Sequence, residues 1–356
     1  MIDFLIIGGG VAGCSAAAHL SHHGKVVVLE AEDALAHHAS GRSAAAFEKN
    51  YGLASTVALT EASEDGHIAF DVLSPRGLLL LAKDNEDSAF EGDMRTLGLS
   101  EVSMNDALGM VPIINRDVVM RAAHHSAMWD IDTDRLIQTF VSQAKGNGAE
   151  VLTKTKATGI KKTPKGWTIA MGDTHLDAKC LVNAAGPWAD EIAQMAGVAT
   201  IGLQPYRRSM GRIPAPAGLV VSKWPMTFGP GESWYAKPDA GALIVSPADE
   251  DPMDPHDAYS DDMILAEGFA RYESYVIEPV TRLIASWAGL RTFAPDRQLV
   301  LGPEPSETSF IWCAGQGGYG MQSSHGAAQL IAELVTGRPK SLPADVVEAL
   351  SPSRFR

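Results

Sequence analysis

The residues of this chain best suited to chemistry are glycines in tight turns and a few arginines. Gly8-x-Gly10-x-x-Gly13 stands between an apolar run, Phe4–Ile7, and a small-residue helix, Cys14–His22. A second apolar run, Val26–Leu29, ends on Glu30. In a βαβ unit the first glycine permits a tight turn and the second lets backbone approach a pyrophosphate. The third lets helix and strand pack closely. The phosphates lie at the helix N-terminus, where N–H groups and the macrodipole favour negative charge, and Glu30 is placed to hold ribose hydroxyls. Glycine-rich turns also occur with no ligand. Here the strand before, the helix after and the acid at the second strand's end agree on one bound dinucleotide.

Stepping along the chain, the elements that must position these residues are scattered. Two further strand–glycine turn–helix units follow, one in "CLVNAAGPWADEIAQMAG" near residues 180–197 and one in "FIWCAGQGGYGMQSSHGAAQLIAELVTG" near 310–336, with Gly337 as C-cap. Between them, "DIDTDRLIQTFVSQAKGNGAEVL" reads as a capped helix. Leu136, Ile137, Phe140 and Val141 recur at helical spacing, Gly146–Gly148 stop it, and the strand Val151–Leu152 follows. A hairpin over Thr158–Ile169 turns at Pro164–Gly166, and Gly77–Ala82 is β-like. From about Leu203 to Ser286 the chain is strand-rich, with Pro, Trp and Tyr, unlike the alanine-rich flanks. This order predicts an α/β protein, α+β overall. A doubly wound dinucleotide-binding domain is assembled from discontinuous segments (1–48, 130–202 and 287–356). A β-rich substrate domain with an antiparallel sheet is formed by 49–129 and 203–286.

At 356 residues the chain suits two domains. Its net charge of −14 argues against nucleic acid and anionic membrane surfaces as partners. No apolar stretch approaches the roughly 20 residues of a transmembrane span, and the N-terminus lacks the basic start of a signal peptide. Cys14, Cys180 and Cys313 lie far apart in apolar stretches, as buried thiols of a reducing compartment and not as a disulfide or metal set. A cytoplasmic protein is expected. The histidine pairs His22–His23, His37–His38 and His124–His125 match no metal spacing and read as surface or loop residues, so no metal site is expected.

Several stretches together resemble the D-amino-acid oxidase-like flavoproteins, which include glycine and sarcosine oxidases, and most closely the D-arginine dehydrogenase type. They are the Gly8–Gly13 turn with Glu30, "SGRSAA" (40–45), "VNAAGPW" (182–188), "LQPYRRS" (203–209), "WYAKPDAG" (234–241), "WAGLRTFAPD" (287–296) and "GQGGYGMQSS" (315–324), and they span the whole chain. The resemblance implies FAD, and a second domain whose antiparallel sheet roofs the flavin ring. The residues themselves agree. A nicotinamide enzyme with this single dinucleotide site would need an acid or base beside the ring, and no His or Lys stands in a fitting motif. A flavin carries its own chemistry and asks the protein for binding and electrostatics.

The implied FAD contacts are Gly8, Gly10, Val11, Ala12, Gly13, Glu30 and Ala31, then Ser40, Arg42, Ser43, Ala44 and Ala45 in the loop past the pyrophosphate and flavin. Ala157 matches the position whose backbone meets adenine, and Ala185, Gly186 and Trp188 follow the second strand–turn unit. Arg291, Gly317, Gly318, Tyr319, Gly320, Met321 and Gln322 complete the set. Ser40–Ser43 also reads as an ordinary helix cap. The closely spaced glycines at 317–320 expose N–H groups suited to the electron-rich N1–C2=O edge of a reduced flavin, or simply make a tight turn. Tyr319 either packs in the core or faces the substrate.

Arg208 and Arg291 would clamp an amino-acid carboxylate, because guanidinium offers a planar two-point fork that stays protonated. Tyr235 would donate a hydroxyl, and neighbouring Arg207 is the rival to Arg208. Tyr51, Gly318 and Tyr319 join these as the expected catalytic set. In the D-arginine-active pattern an acid follows "SPRP"; here Leu78 stands at that place. Glu48 is the one acid nearby, and adjacent Lys49 and Asn50 suggest that it faces solvent. The expected activity is oxidation of small, D-configured α-amino acids, neutral side chains outranking D-arginine and D-lysine. Alternatives are a secondary-amine or imino-acid substrate, or a flavin-binding subunit of an electron-transfer complex. FAD is expected to be noncovalent. The electron acceptor (oxygen, quinone or another carrier) is left open by the sequence.

Overall fold

The computed structural model describes residues 1–356. Its first sheet has eight strands around a parallel centre. Thr174–Asn183, Ile2–Ile7, Val26–Leu29 and Glu150–Leu152 lie side by side, and Glu307–Ala314 runs parallel on the far side of Thr174–Asn183. The expected hairpin, Gly159–Thr163 with Gly166–Met171, pairs onto Thr174–Asn183. The short apolar runs are continuous because both faces are covered. Phe4, Ile6, Val26 and Val28 pack on one side with Ala16, Ala17 and Leu330. Leu5, Ile7, Val27 and Leu29 pack on the other with Ala189 and Ile192.

The helix Val11–Leu20 starts directly on the first strand. A Cβ at Gly13 would stand 1.9 Å from the Gly8 carbonyl oxygen, so only glycine allows that approach. The helix Thr133–Gly146 is capped by Asp132, whose carboxylate accepts the Arg135 N–H at 3.0 Å, and Ser324–Thr336 ends on left-handed Gly337.

The second sheet has nine strands, and every pairing is antiparallel except Met226–Phe228 with Leu78–Lys83. The strand Ala285–Phe293 pairs residue for residue along Gln204–Arg212, so the expected boundary at 287 falls inside a strand of this sheet. A three-stranded sheet of Ala46–Phe47, Trp129–Ile131 and Leu73–Pro75 lies between the flavin-type loop and the second sheet in sequence. No helix is long and apolar enough to cross a membrane. The three cysteines are free, and burial pushes the thiols of Cys14 and Cys313 up to about 12.

Candidate active site

Three adjoining cavities run from the glycine turn of the first sheet to the second sheet. The first, about 360 Å³, is lined by Gly8, Glu30, Ala31, Ala157, Ala185 and Trp188. It shares Gly10, Ser40 and Gly186 with a slot of about 120 Å³ that also takes in Val11, Ala12, Arg42, Arg208, Gly317 and Gly320. The slot shares Ser43, Ala44, Arg291, Gly318 and Met321 with a chamber of about 420 Å³, which adds Ala45, Glu48, Tyr51, Tyr235 and Gln322. Of the expected site residues only Gly13 and Tyr319 line none of the three. Gly13 acts through helix–strand packing. Tyr319 stacks edge-on against Tyr51 at 5.2 Å and lies near Phe293 at 6.2 Å.

Several polar contacts shape this path. The Glu30 carboxylate accepts the Gly9 N–H at 2.7 Å and the Glu32 N–H at 2.8 Å, which pins the glycine turn to the second strand. Ser40 Oγ accepts the Val11 N–H at 2.9 Å. Arg42 lines the slot, but its guanidinium is engaged by the His37, Ala258 and Ala288 carbonyls and by Asp257. It therefore ties the loop to the second sheet. Buried Lys237 donates to the Ala44 carbonyl at 2.6 Å and pairs with Asp130 at 2.7 Å, holding the same loop from the other side. The histidines His37 and His38 come together with Glu32, and the His38 ring packs on Trp188 at 4.8 Å.

Strand geometry separates the two neighbouring arginines. Arg291 stands opposite Tyr206, and Arg208 is two residues beyond Tyr206, so Arg208 and Arg291 share one sheet face. Arg207 projects from the other face, where Asp249 (3.0 Å) and Asp251 (2.6 Å) hold it. Arg208 is 4% exposed, and its Nε and Nη1 have no hydrogen-bond partner within the protein. The buried Tyr235 hydroxyl has none either. Buried donors without partners cost free energy that a ligand can recover. They fit an anionic or carbonyl-bearing group at the junction of slot and chamber. The residues present therefore suit a flavin dinucleotide laid along the path with a carboxylate beside it.

Arg291 Nη1 donates to the Tyr51 hydroxyl at 3.4 Å, and that hydroxyl donates to Glu232 Oε1 at 2.8 Å. Burial works against the Arg291 charge, but Tyr51, Tyr235 and Glu232 outweigh it and hold its pKa above the ordinary guanidinium range. Burial likewise raises the Tyr51 phenol.

The expectation that Glu48 faces solvent is overturned. Glu48 is 6% exposed and lines the chamber, while Lys49 turns outward to Glu64 at 2.6 Å. The strand Ala46–Phe47 pairs with Trp129–Asp130, and the chain then bends so that Glu48 Oε1 accepts the Asn50 N–H at 3.1 Å. Glu48 Oε2 lies 3.2 Å from His125 Nε2, so His125 also is not the surface residue expected. Gln322 fixes this bend, accepting the Glu48 N–H and donating to the Tyr51 carbonyl. Leu78 lines the chamber as expected. Asp93, Met128, Met226, Phe228 and Glu232 also line it and carry no local sequence signal. Burial raises the Asp93 carboxyl.

The family model described as DAO, FAD dependent oxidoreductase, matches residues 3–334. The chain is 24% identical to hydrogen cyanide synthase subunit HcnC of Pseudomonas aeruginosa, over 99% of this chain and 96% of that protein. It is 23% identical to the glycerol 3-phosphate dehydrogenase of Caloramator mitchellensis, over 96% and 75%. Among solved structures, glycine oxidase from Geobacillus kaustophilus superposes with a TM-score of 0.84 at 20% identity, covering 99% of this chain and 98% of that one. L-proline dehydrogenase from P. horikoshii also gives 0.84 at 20% identity, covering 99% and 97%.

Proposed function

The chain belongs to the DAO family of FAD-dependent oxidoreductases, and from that premise we propose that it oxidises a small α-amino acid, D-configured as in the type its sequence most resembles. The observation that carries this reading is the pair Arg208 and Arg291 on one sheet face, with unpartnered nitrogens on Arg208 and an unpartnered hydroxyl on Tyr235. FAD would lie with its adenosine near Glu30 and Trp188, its pyrophosphate at Gly10–Ala12 and Ser40, and its ring in the slot beside Gly317–Gly318. When bound there it accepts the hydride that leaves the substrate Cα.

The chain's own residues perform the rest. Arg291 and Arg208 hold the substrate carboxylate, Tyr51 and Tyr235 add hydroxyl contacts, and the amino acid is thereby fixed so that Cα faces the slot. This is catalysis by orientation. The imino acid released is hydrolysed by water to a 2-oxo acid and ammonia. The electron acceptor is oxygen, a quinone or another carrier. A phosphorylated substrate of the glycerol 3-phosphate kind fits less well, because Glu48, Asp93 and Glu232 surround the chamber with negative charge.

Anaerobic bleaching of the bound flavin by a panel of D- and L-amino acids, glycine, sarcosine and proline tests this reading. Rapid bleaching by several D-amino acids is expected. Bleaching by none of the amino acids refutes it.

A further inference from the structure

The deepest acid of the chamber is Glu48. Asp93 is half-buried and Glu232 exposed at the rim, whereas Glu48 is enclosed. Its Oε1 is satisfied by the Asn50 N–H, but Oε2 has no hydrogen-bond partner, although His125 Nε2 stands 3.2 Å away off the axis of a bond. The Ala127 N–H donates to His125 Nδ1 at 3.1 Å, so that nitrogen carries a lone pair and the ring hydrogen sits on Nε2. A ring in this tautomer bears no charge and leaves that of Glu48 uncancelled. The walls around it, Leu78, Met128, Met226 and Phe228, are apolar.

A buried carboxylate with a free oxygen at the end of an apolar chamber calls for a cation on an aliphatic stem. We propose, resting on the amino-acid reading above, that Glu48 makes this site selective for amino acids whose side chain ends in a second positive charge, an ammonium or a guanidinium. Charge accounting agrees. The substrate carboxylate answers the arginine clamp and Glu232 answers Tyr51 and Arg291, so an unmatched negative charge remains at Glu48. The acid comes from the segment after Ala46–Phe47, and Leu78 occupies the wall position where the resembling D-arginine-active pattern has its own acid. Selectivity is therefore carried by a different element.

The test uses two pairs of compounds that differ only in the terminal ammonium. With the FAD-loaded protein, anaerobic flavin reduction by D-lysine is expected to exceed that by D-norleucine by about tenfold or more in kcat/KM. In Glu48→Gln, which keeps an oxygen for the Asn50 N–H, the ratio is expected to fall to near one while D-norleucine still reduces the flavin. Independently of any variant, 6-aminohexanoate is expected to perturb the flavin spectrum of the unaltered protein with a Kd about tenfold lower than hexanoate. A preference for D-norleucine and hexanoate, or a D-lysine preference that survives in Glu48→Gln, overturns the proposal while leaving the amino-acid reading intact. Failure of both amino acids to bleach the flavin, with hexanoate also silent, overturns both.

Discussion

Replacing each of the adjacent arginines by methionine separates a structural role from a ligand-binding one on a single strand. Arg207 and Asp249 are buried, with side chains 9% and 4% exposed, and burial opposes the Arg207 charge that Asp249 and Asp251 sustain. Arg207→Met leaves Asp249 with only the Ser209 N–H (2.6 Å) and Oγ (2.8 Å). Removing one partner of a buried ion pair costs about 3 kcal/mol or more, while the Asp251 pair, half exposed, adds little. Arg208→Met acts in the opposite sense. It removes a buried cation whose Nε and Nη1 lack partners, so stability without substrate stays within about 1 kcal/mol of the parent or rises. Loss of a charge-assisted carboxylate contact of about 1.5–3 kcal/mol then lowers kcat/KM by roughly tenfold to hundredfold. Urea unfolding of the FAD-loaded proteins gives the first quantity and anaerobic stopped-flow reduction the second. An Arg207→Met protein of unchanged stability but crippled reduction, beside an unstable and active Arg208→Met protein, would show that the assignment is reversed.

FAD is expected to be noncovalent, because the slot lining contains no Cys, His or Tyr; acid precipitation should release the yellow colour, and colour retained in the pellet refutes this. A Cβ at Gly318 would stand 2.9 Å from Arg291 Cζ, so Gly318→Ala should displace the guanidinium and lower kcat/KM by about tenfold. Unaltered kinetics in that variant would remove Arg291 from the clamp. Burial, reinforced by neighbouring histidines, lowers His325 to about 3 and His19 to about 4. From pH 6.5 to 5 the unfolded chain takes up protons at these sites and the native protein does not, so stability should fall on acidification by up to about 1.4 kcal/mol per pH unit for each. Urea midpoints at pH 7 and 5 measure this, and His325→Gln should flatten the slope; an identical slope in the variant contradicts the assignment.

Local chemistry determined much of this protein before any packing is considered. The Gly8–Gly13 turn, the apolar runs on either side and Glu30 specify a βαβ unit by themselves, since turn geometry, helix start and strand period are all encoded within about 30 residues. The caps at Asp132 and Gly337 were equally legible, and so were Arg291 and Tyr235 through the stretches around them. What required the tertiary structure was direction. Arg207 and Arg208 differ by one residue on a strand, so their faces are opposite, and only pairing with Ala285–Phe293 and the approach of Asp249 decide which face meets the slot. Glu48 has charged and polar neighbours and looks solvated in sequence. The pairing of Ala46–Phe47 with Trp129–Asp130, the amide of Gln322 and the imidazole of His125 come from segments about 80 to 270 residues away, and together they turn it inward. Asp93 and Glu232 reach the chamber by the same means. A side chain's period is written locally, but which partner covers it is fixed only when distant segments pair.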